Sequence, residues 1–173
     1  MSAPQLDFLI SIGTENVPHW GGASYLAHLM GTRSLLLKLG CDDNVACAGL
    51  FHSVYGTEAF RPPGPVVTRL KIFSLCGEVA EKLVYLNCSM TRASLDLSLR
   101  NNDTKIVNRF FGTETEIDGS FFYDLCLIHL ADYLEQAPRM NEASRSVRRE
   151  NYHAIATRFD ALKTYNSIMD SLK

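Results

Sequence analysis

Three ionisable side chains interrupt segments that otherwise read as apolar helix. His28 lies between Leu26 and Leu29, His52 ends the apolar run AGLF, and Asp132 lies within LIHLADYL. A buried ionisable group needs a compensating partner such as a metal ion. Two imidazoles and one carboxylate suit manganese, iron or magnesium, with open positions left for water. We therefore predict one divalent metal ion on His28, His52 and Asp132, although each residue alone also fits a hydrogen-bonded core position.

The elements that carry the two histidines have clear helix signals. Residues 24–39 have apolar side chains at helical spacing, with Ser24 as the N-cap and Gly40 as the stop. A second helix, almost wholly buried, is predicted from about Asp43 to Tyr55; it opens with Asp42 or Asp43 and ends at Gly56. The run RPPGP that follows excludes helix and predicts a rigid loop.

The remaining chain predicts further helices. Residues 67–90 fit one or two helices with a break near Gly77, and residues 120–136 and 151–172 each fit one helix. Residues 98–120 are polar, so we expect weak order there, with a flexible flap as one option. No convincing series of strands is found. The fold class is predicted as all-α, with residues 1–173 forming a single domain.

Composition restricts the classes of partner. With 17 basic and 19 acidic side chains the net charge is -2, which favours a small molecule over nucleic acid or a membrane surface. The five cysteines form no CxxC pair, and reduced thiols are expected. With no signal peptide or membrane span recognised, we expect a cytoplasmic protein. The apolar stripe of residues 151–172 also allows a homodimer.

Four segments occur in an order that resembles the hydrolase domain of the RelA/SpoT and small alarmone, or (p)ppGpp, hydrolases of the HD superfamily. They are GASYLAH (22–28), CDDNVACAGLFHS (41–53), GEVAEKLV (77–84) and IHLADYLEQ (128–136). Gly22, Tyr25 and His28 match the family's first metal-histidine motif, and His52 follows 24 residues later, as in the family. The resemblance covers residues 16–138. It implies an HD-type helical bundle in which His28, His52 and Asp132 hold the metal.

The metal motif is degenerate by comparison with that family. Ser53 stands where the family has the aspartate of its HD dyad, and a hydroxyl is a weaker ligand for a hard cation. The family's Glu-Asp pair, which activates water, aligns with Gly56 and Thr57. Glu58 follows one residue late and is our candidate for the general base, with a solvated surface charge as the alternative.

Further residues are candidates for substrate binding. The family's base-stacking position corresponds to His19, with Trp20 beside it, and the ribose-contacting position corresponds to Gln136. Tyr25, Tyr55 and Tyr133 could line a cavity for an organic molecule. The nearby cations available for a phosphate are Arg33, Arg61 and Lys71.

Three functions fit these residues. The first is a metal-dependent hydrolase of a phosphorylated or nucleotide-like small molecule, in which the metal activates water and Glu58 accepts a proton. The second is an iron-dependent oxygenase or another redirected small-molecule enzyme, since two histidines and an aspartate are also the composition of a facial triad. The third is a metal-free ligand-binding domain that has lost hydrolase activity, which Ser53 and Thr57 favour.

Overall fold

The computed structural model describes residues 1–172, with the side chain of Trp20 outside that description. These residues form mainly α-helices: α1 (Ala3–Ser11), α2 (Tyr25–Lys38), α3 (Asp43–Phe51), α4 (Arg69–Ser89), α5 (Arg92–Asn101), α6 (Gly119–Gln136), α7 (Glu142–Ser146), α8 (Arg149–Arg158) and α9 (Leu162–Asp170). Two short strands, β1 (Lys105–Val107) and β2 (Glu114–Glu116), pair antiparallel. The prediction of an all-α fold is confirmed.

Helices α2 and α3 begin where their caps predict. The Ser24 hydroxyl accepts from the backbone N–H of Ala27, and the Asp42 carboxylate accepts from Asn44 and Val45, which satisfies amides that have no partner inside the helix. Gly40 follows α2 with a φ of 83°. Helix α3 ends at Phe51 and not at Tyr55, because residues 52–56 tighten into turns in which Val54 N–H donates to the Phe51 carbonyl. His52 therefore lies at the end of α3.

Helix α6 runs through the centre of the core. All its residues from 125 to 134 are buried, and it contacts α2, α3, α4 and α8. Helices α2 and α3 approach each other closely at Gly49, where an added Cβ would lie 2.1 Å from Cδ1 of Leu36. Because α2, α3 and α6 pack against one another, side chains on their facing surfaces meet inside the bundle.

The predicted break in α4 is confirmed at Gly77. This residue has φ 79° and ψ 176°, a conformation that is essentially restricted to glycine, so it divides the helical run in two. The second half of α4 reaches the end of α3. There the Asn87 amide and the Cys88 thiol both donate to the backbone carbonyl of His52, at 2.6 and 3.1 Å.

The structure corrects the expectations for three segments. Residues 151–172 form two helices and not one, because Asp160 adopts a φ of 55° between α8 and α9. Residues 98–120 contain the end of α5 and the β1–β2 hairpin and are not a plain loop. Helix α1 was not predicted; its N-terminus is closed by a capping box of Ser2 and Gln5.

The hairpin is attached to the bundle through an arginine. Arg109 donates to the carbonyl of Cys88 at 2.8 Å and to the carbonyl of Gly56 at 3.2 Å. It thus joins the end of α4 to the loop after α3. In the part of the chain that is described, no helix has both the length and the apolar character needed to cross a bilayer.

Candidate metal centre

The three predicted ligands converge from three helices. Nε2 of His28 lies 3.4 Å from Nε2 of His52, and Oδ1 of Asp132 lies 3.3 Å from the first and 3.6 Å from the second. A cation bound at about 2.1 Å separates its ligand atoms by about 3.0 Å at right angles and by about 3.4 Å at tetrahedral angles. The triangle therefore has the dimensions of three ligands on one face of a single ion. It is the one such group of histidine, cysteine and acidic side chains found among the described residues.

The second nitrogen of each imidazole is held by an acceptor. Nδ1 of His52 lies 2.9 Å from the carbonyl oxygen of Gly49, and Nδ1 of His28 contacts a carboxylate oxygen of Glu135. An imidazole that donates from Nδ1 keeps a lone pair on Nε2, which is the arrangement found around metal-bound histidines. Glu135 is in turn fixed by Arg139, whose guanidinium donates to both carboxylate oxygens.

The side chains of the cluster are electrostatically coupled. Burial favours the neutral form of His28, but its hydrogen bonds with Asp132 and Glu135 outweigh burial and raise its pKa to about 9. Burial likewise opposes ionisation of Asp132, yet the two histidines hold the pKa of that carboxyl well below its usual range. These shifts show that the cluster favours one positive charge beside Asp132, which a bound metal ion would also supply.

Asp132 also contacts residues outside the ligand triangle. The Gln136 amide donates to Oδ1 of Asp132 at 2.6 Å and to its backbone carbonyl at 3.1 Å. On the other side, the Arg92 guanidinium lies 3.5 Å from Oδ2. Gln136 therefore orients the carboxylate, and Arg92 places a cation next to it.

A cavity of about 530 Å³ opens beside the cluster. Its wall contains all three ligands together with two arginines, Arg92 and Arg148. The three cations expected from the sequence do not line it. Arg33 pairs with Asp43 on another surface, and Arg61 lines a different depression.

His19 lies at the cavity wall, against a metal ligand. Its ring stacks on the ring of His28 with centroids 4.3 Å apart and an interplanar angle of 21°, and it forms a T-shaped pair with the ring of Phe60. Burial, followed by the neighbouring charge of His28, lowers the pKa of His19 to about 4, so it is neutral near pH 7. Trp20, the adjacent candidate, lies outside the described side chains.

The structure separates the residues that were compared with the acids of the HD motif in the sequence. Ser53 lines the cavity, and its hydroxyl is 2.9 Å from the Tyr25 hydroxyl. Thr57 also lines the cavity, and its oxygen accepts from the backbone of Ala59 and Phe60. Glu58 is exposed and does not line the cavity; it accepts from the backbone N–H of Arg92 at 2.7 Å.

The three candidate tyrosines lie in different parts of the structure. Tyr133 lines the cavity, where it stacks on Tyr152 with ring centroids 3.9 Å apart. Tyr25 is buried behind Ser53, and burial raises the pKa of its hydroxyl. Tyr55 points to another surface, where its hydroxyl donates to Glu81.

Sequence reasoning missed Glu135 and Arg92. Glu135 follows Asp132 by three positions, so both carboxylates lie on one face of α6, and this spacing could have identified it. Arg92 is the first residue of α5, where the helix dipole disfavours a cation. A residue that breaks a local rule at a helix end is a candidate for a functional role.

Comparison with known proteins adds one finding. The family described as Domain of unknown function (DUF6817) matches residues 8–92, just under half of the chain. This segment includes His28, His52 and Arg92 and ends before α6, which carries Asp132. No match to the chain is found among curated proteins or among solved structures.

Proposed function

We propose that this protein is an HD-type, metal-dependent hydrolase of a small phosphorylated molecule. The observation that carries the proposal is the triangle of two imidazole nitrogens and one carboxylate oxygen, with sides of 3.3 to 3.6 Å, at the wall of a cavity. The donor set fits a divalent cation that accepts both nitrogen and oxygen ligands, such as manganese, iron or zinc. When bound, such an ion lowers the pKa of a coordinated water and polarises a phosphoryl oxygen.

The protein's own side chains position this chemistry. Glu135 and the Gly49 carbonyl keep the Nε2 atoms of the two histidines directed at one point. Arg92 provides a positive charge for a phosphate oxygen, since guanidinium groups bind phosphate through paired N–H donors. The neutral ring of His19 stacks on the ring of His28 at the cavity wall. Glu58, the base candidate from the sequence, is bonded to a backbone amide outside the cavity wall, so we assign it no proton-accepting role.

Metal analysis of the purified protein tests the site. The wild type is expected to hold close to one equivalent of a divalent metal, and His28→Ala, His52→Ala and Asp132→Ala are each expected to lose it. His153→Ala is the matched control, because His153 is an exposed histidine on α8 outside the cavity. Phosphate release from phosphomonoesters should require the same three residues.

Two results would contradict the proposal. One is a wild type that takes up no divalent metal after incubation with manganese, iron or zinc, which leaves the metal-free binding domain as the better reading. The other is retention of metal in all three ligand variants, which would place the ion elsewhere.

The number and type of ligands favour a second candidate, an iron-dependent oxygenase. Two histidines and one aspartate on a single face are the ligand set of the facial-triad iron enzymes. Oxygen consumption by the ferrous protein in the presence of an organic substrate, without phosphate release, would favour this function. We rank it second because the Arg92 guanidinium lies 3.5 Å from the Asp132 carboxylate, where it could bind a phosphate group next to the ion.

A further inference from the structure

Resting on the proposed function, we infer that the substrate is a phosphomonoester of an apolar alcohol and not a nucleotide. Three features of the cavity carry this inference: the net charge at its inner end, the hydrogen bonds already made by its polar side chains, and the apolar residues towards its mouth.

The net charge at the inner end of the cavity suits a ligand with two negative charges. Arg148 lines the cavity but is neutralised by Asp96, whose two oxygens each lie 2.7 Å from its guanidinium. Arg92 and Asp132 carry opposite charges and offset each other. A divalent ion on the ligand triangle therefore leaves about two positive charges, which a phosphomonoester with its second pKa near 6 neutralises at pH 7.

The uncharged polar groups of the wall are mostly occupied within the protein. Ser53 is bonded to Tyr25, Tyr133 donates to the carbonyl of Arg145, and Gln136 donates twice to Asp132. Thr57 accepts two backbone amides. A nucleobase is recognised by several donors and acceptors on its edges, and a pocket that leaves those edges unpaired binds it poorly. Among the described uncharged lining residues, the hydroxyls of Ser144 and Tyr152 and the imidazole of His19 have no hydrogen bond, so few groups are left to pair with the edges of a base.

The cavity also offers apolar contact. Phe60, Met140 and Val147 line it, and the side chain of Val147 is 81% exposed, whereas the three ligands are at most 6% exposed. The ligands thus mark the inner end and Val147 the mouth. An apolar group attached to the phosphate would extend along Phe60 and Met140 towards Val147 and cover its exposed surface.

Binding of alkylphosphonates tests this inference without requiring turnover. Calorimetric titration of the manganese-loaded protein with linear alkylphosphonates of about two to about eight carbons should show Kd falling with each added methylene. The fall is expected to be roughly two- to fourfold per methylene, the value for moving such a group out of water, until the cavity is filled. Adenosine monophosphate and glycerol phosphate should bind at least about tenfold more weakly than the longest phosphonates.

Val147→Asp provides the matched variant. It places a charge at the mouth, on an exposed residue, so folding should be unaffected, and it should flatten the dependence of Kd on chain length. Val66→Asp, the same change on a valine that is 95% exposed and outside the cavity, should leave that dependence unchanged.

The outcomes separate this inference from the proposed function. Kd independent of chain length, or tighter binding of adenosine monophosphate, overturns the inference even if phosphate is released from nucleotides. A clear chain-length dependence without hydrolysis of the corresponding alkyl phosphates supports the ligand class and contradicts the hydrolase. If the protein takes up no metal, the same titration on the metal-free protein decides the ligand class, since the apolar wall does not depend on the ion.

Discussion

Single residues at the cluster differ in how far the sequence reveals them. His28, His52 and Asp132 are visible because each interrupts an apolar helix, and the structure brings all three within one ligand sphere. Arg92 lies 40 positions from Asp132, and no local pattern predicts a contact over that distance. Glu58 and Arg33 were reasonable candidates by sequence proximity, but their side chains pair with the Arg92 backbone and with Asp43. Proximity along the chain does not fix the direction of a side chain on a turn.

Replacing Glu135 tests whether the hydrogen-bond partner of His28 affects the metal affinity of the site. Glu135→Gln keeps the shape of the side chain but weakens the acceptor for Nδ1 of His28, so Nε2 becomes a poorer donor to the metal. We expect metal affinity to fall by roughly 10- to 100-fold, as measured by competition with a chelating dye. Glu150→Gln, on the exposed face of α8, serves as the control. Equal affinities in both variants would limit Glu135 to packing.

At the scale of elements, the caps and breaks were predictable where the responsible residue has a strong conformational preference. Ser24, Asp42 and Gly77 act as expected. The break between α8 and α9 was missed because Asp160, an aspartate with positive φ, is not a sequence signal in the way that glycine or proline is. The hairpin was missed because its two three-residue strands are mostly polar and follow no apolar alternation.

The contact between α3 and α6 carries an unfavourable charge pair. Asp124 on α6 is partly buried near Asp42, the N-cap of α3, and burial together with that neighbouring charge raises the pKa of Asp124 to about 6. Because this folded pKa exceeds the unfolded value near 3.9, the folded protein binds more protons between about pH 4 and 6. Stability is therefore lost as the pH rises through that window.

Asp124→Asn should remove this unfavourable burial of a negative charge. We expect the variant to be more stable than the wild type by about 1 kcal/mol at pH 7, a value reduced for solvent screening, and to show no gain at pH 4. Urea unfolding followed by circular dichroism at the two pH values measures the difference. Asp7→Asn, on the exposed face of α1, should change stability at neither pH. A gain of equal size at both pH values would refute the electrostatic explanation.

For the whole molecule, the all-α class followed from helical periodicity in the sequence, whereas the shape of the cavity did not. Periodicity shows which face of a helix is buried but not which helices face each other. The three candidate ligands lie on α2, α6 and the end of α3, which are far apart along the chain and adjacent in space. One bound cation would therefore tie together three helices that have no such arrangement when unfolded.

Metal removal should consequently lower thermal stability. At a free metal concentration of about 100 times Kd, binding stabilises the folded state by about 2.7 kcal/mol, which for a chain of this size corresponds to a Tm higher by roughly 5 to 10 °C. Addition of a chelator should reverse this increase. The double variant His28→Ala/His52→Ala should have a Tm that depends on neither metal nor chelator. A chelator-dependent Tm in that variant would point to a different site.

The hydrogen bonds of Arg109 have a consequence for the wall of the cavity. Thr57, which forms part of that wall, follows Gly56, and the Gly56 carbonyl is held from behind by a guanidinium belonging to the hairpin. The same guanidinium holds the carbonyl of Cys88, whose own thiol bonds the carbonyl of His52. The β1–β2 hairpin is thus linked to the backbone of His52, a candidate metal ligand, through hydrogen bonds to two peptide carbonyls, so a displacement of the hairpin would shift the position of this imidazole.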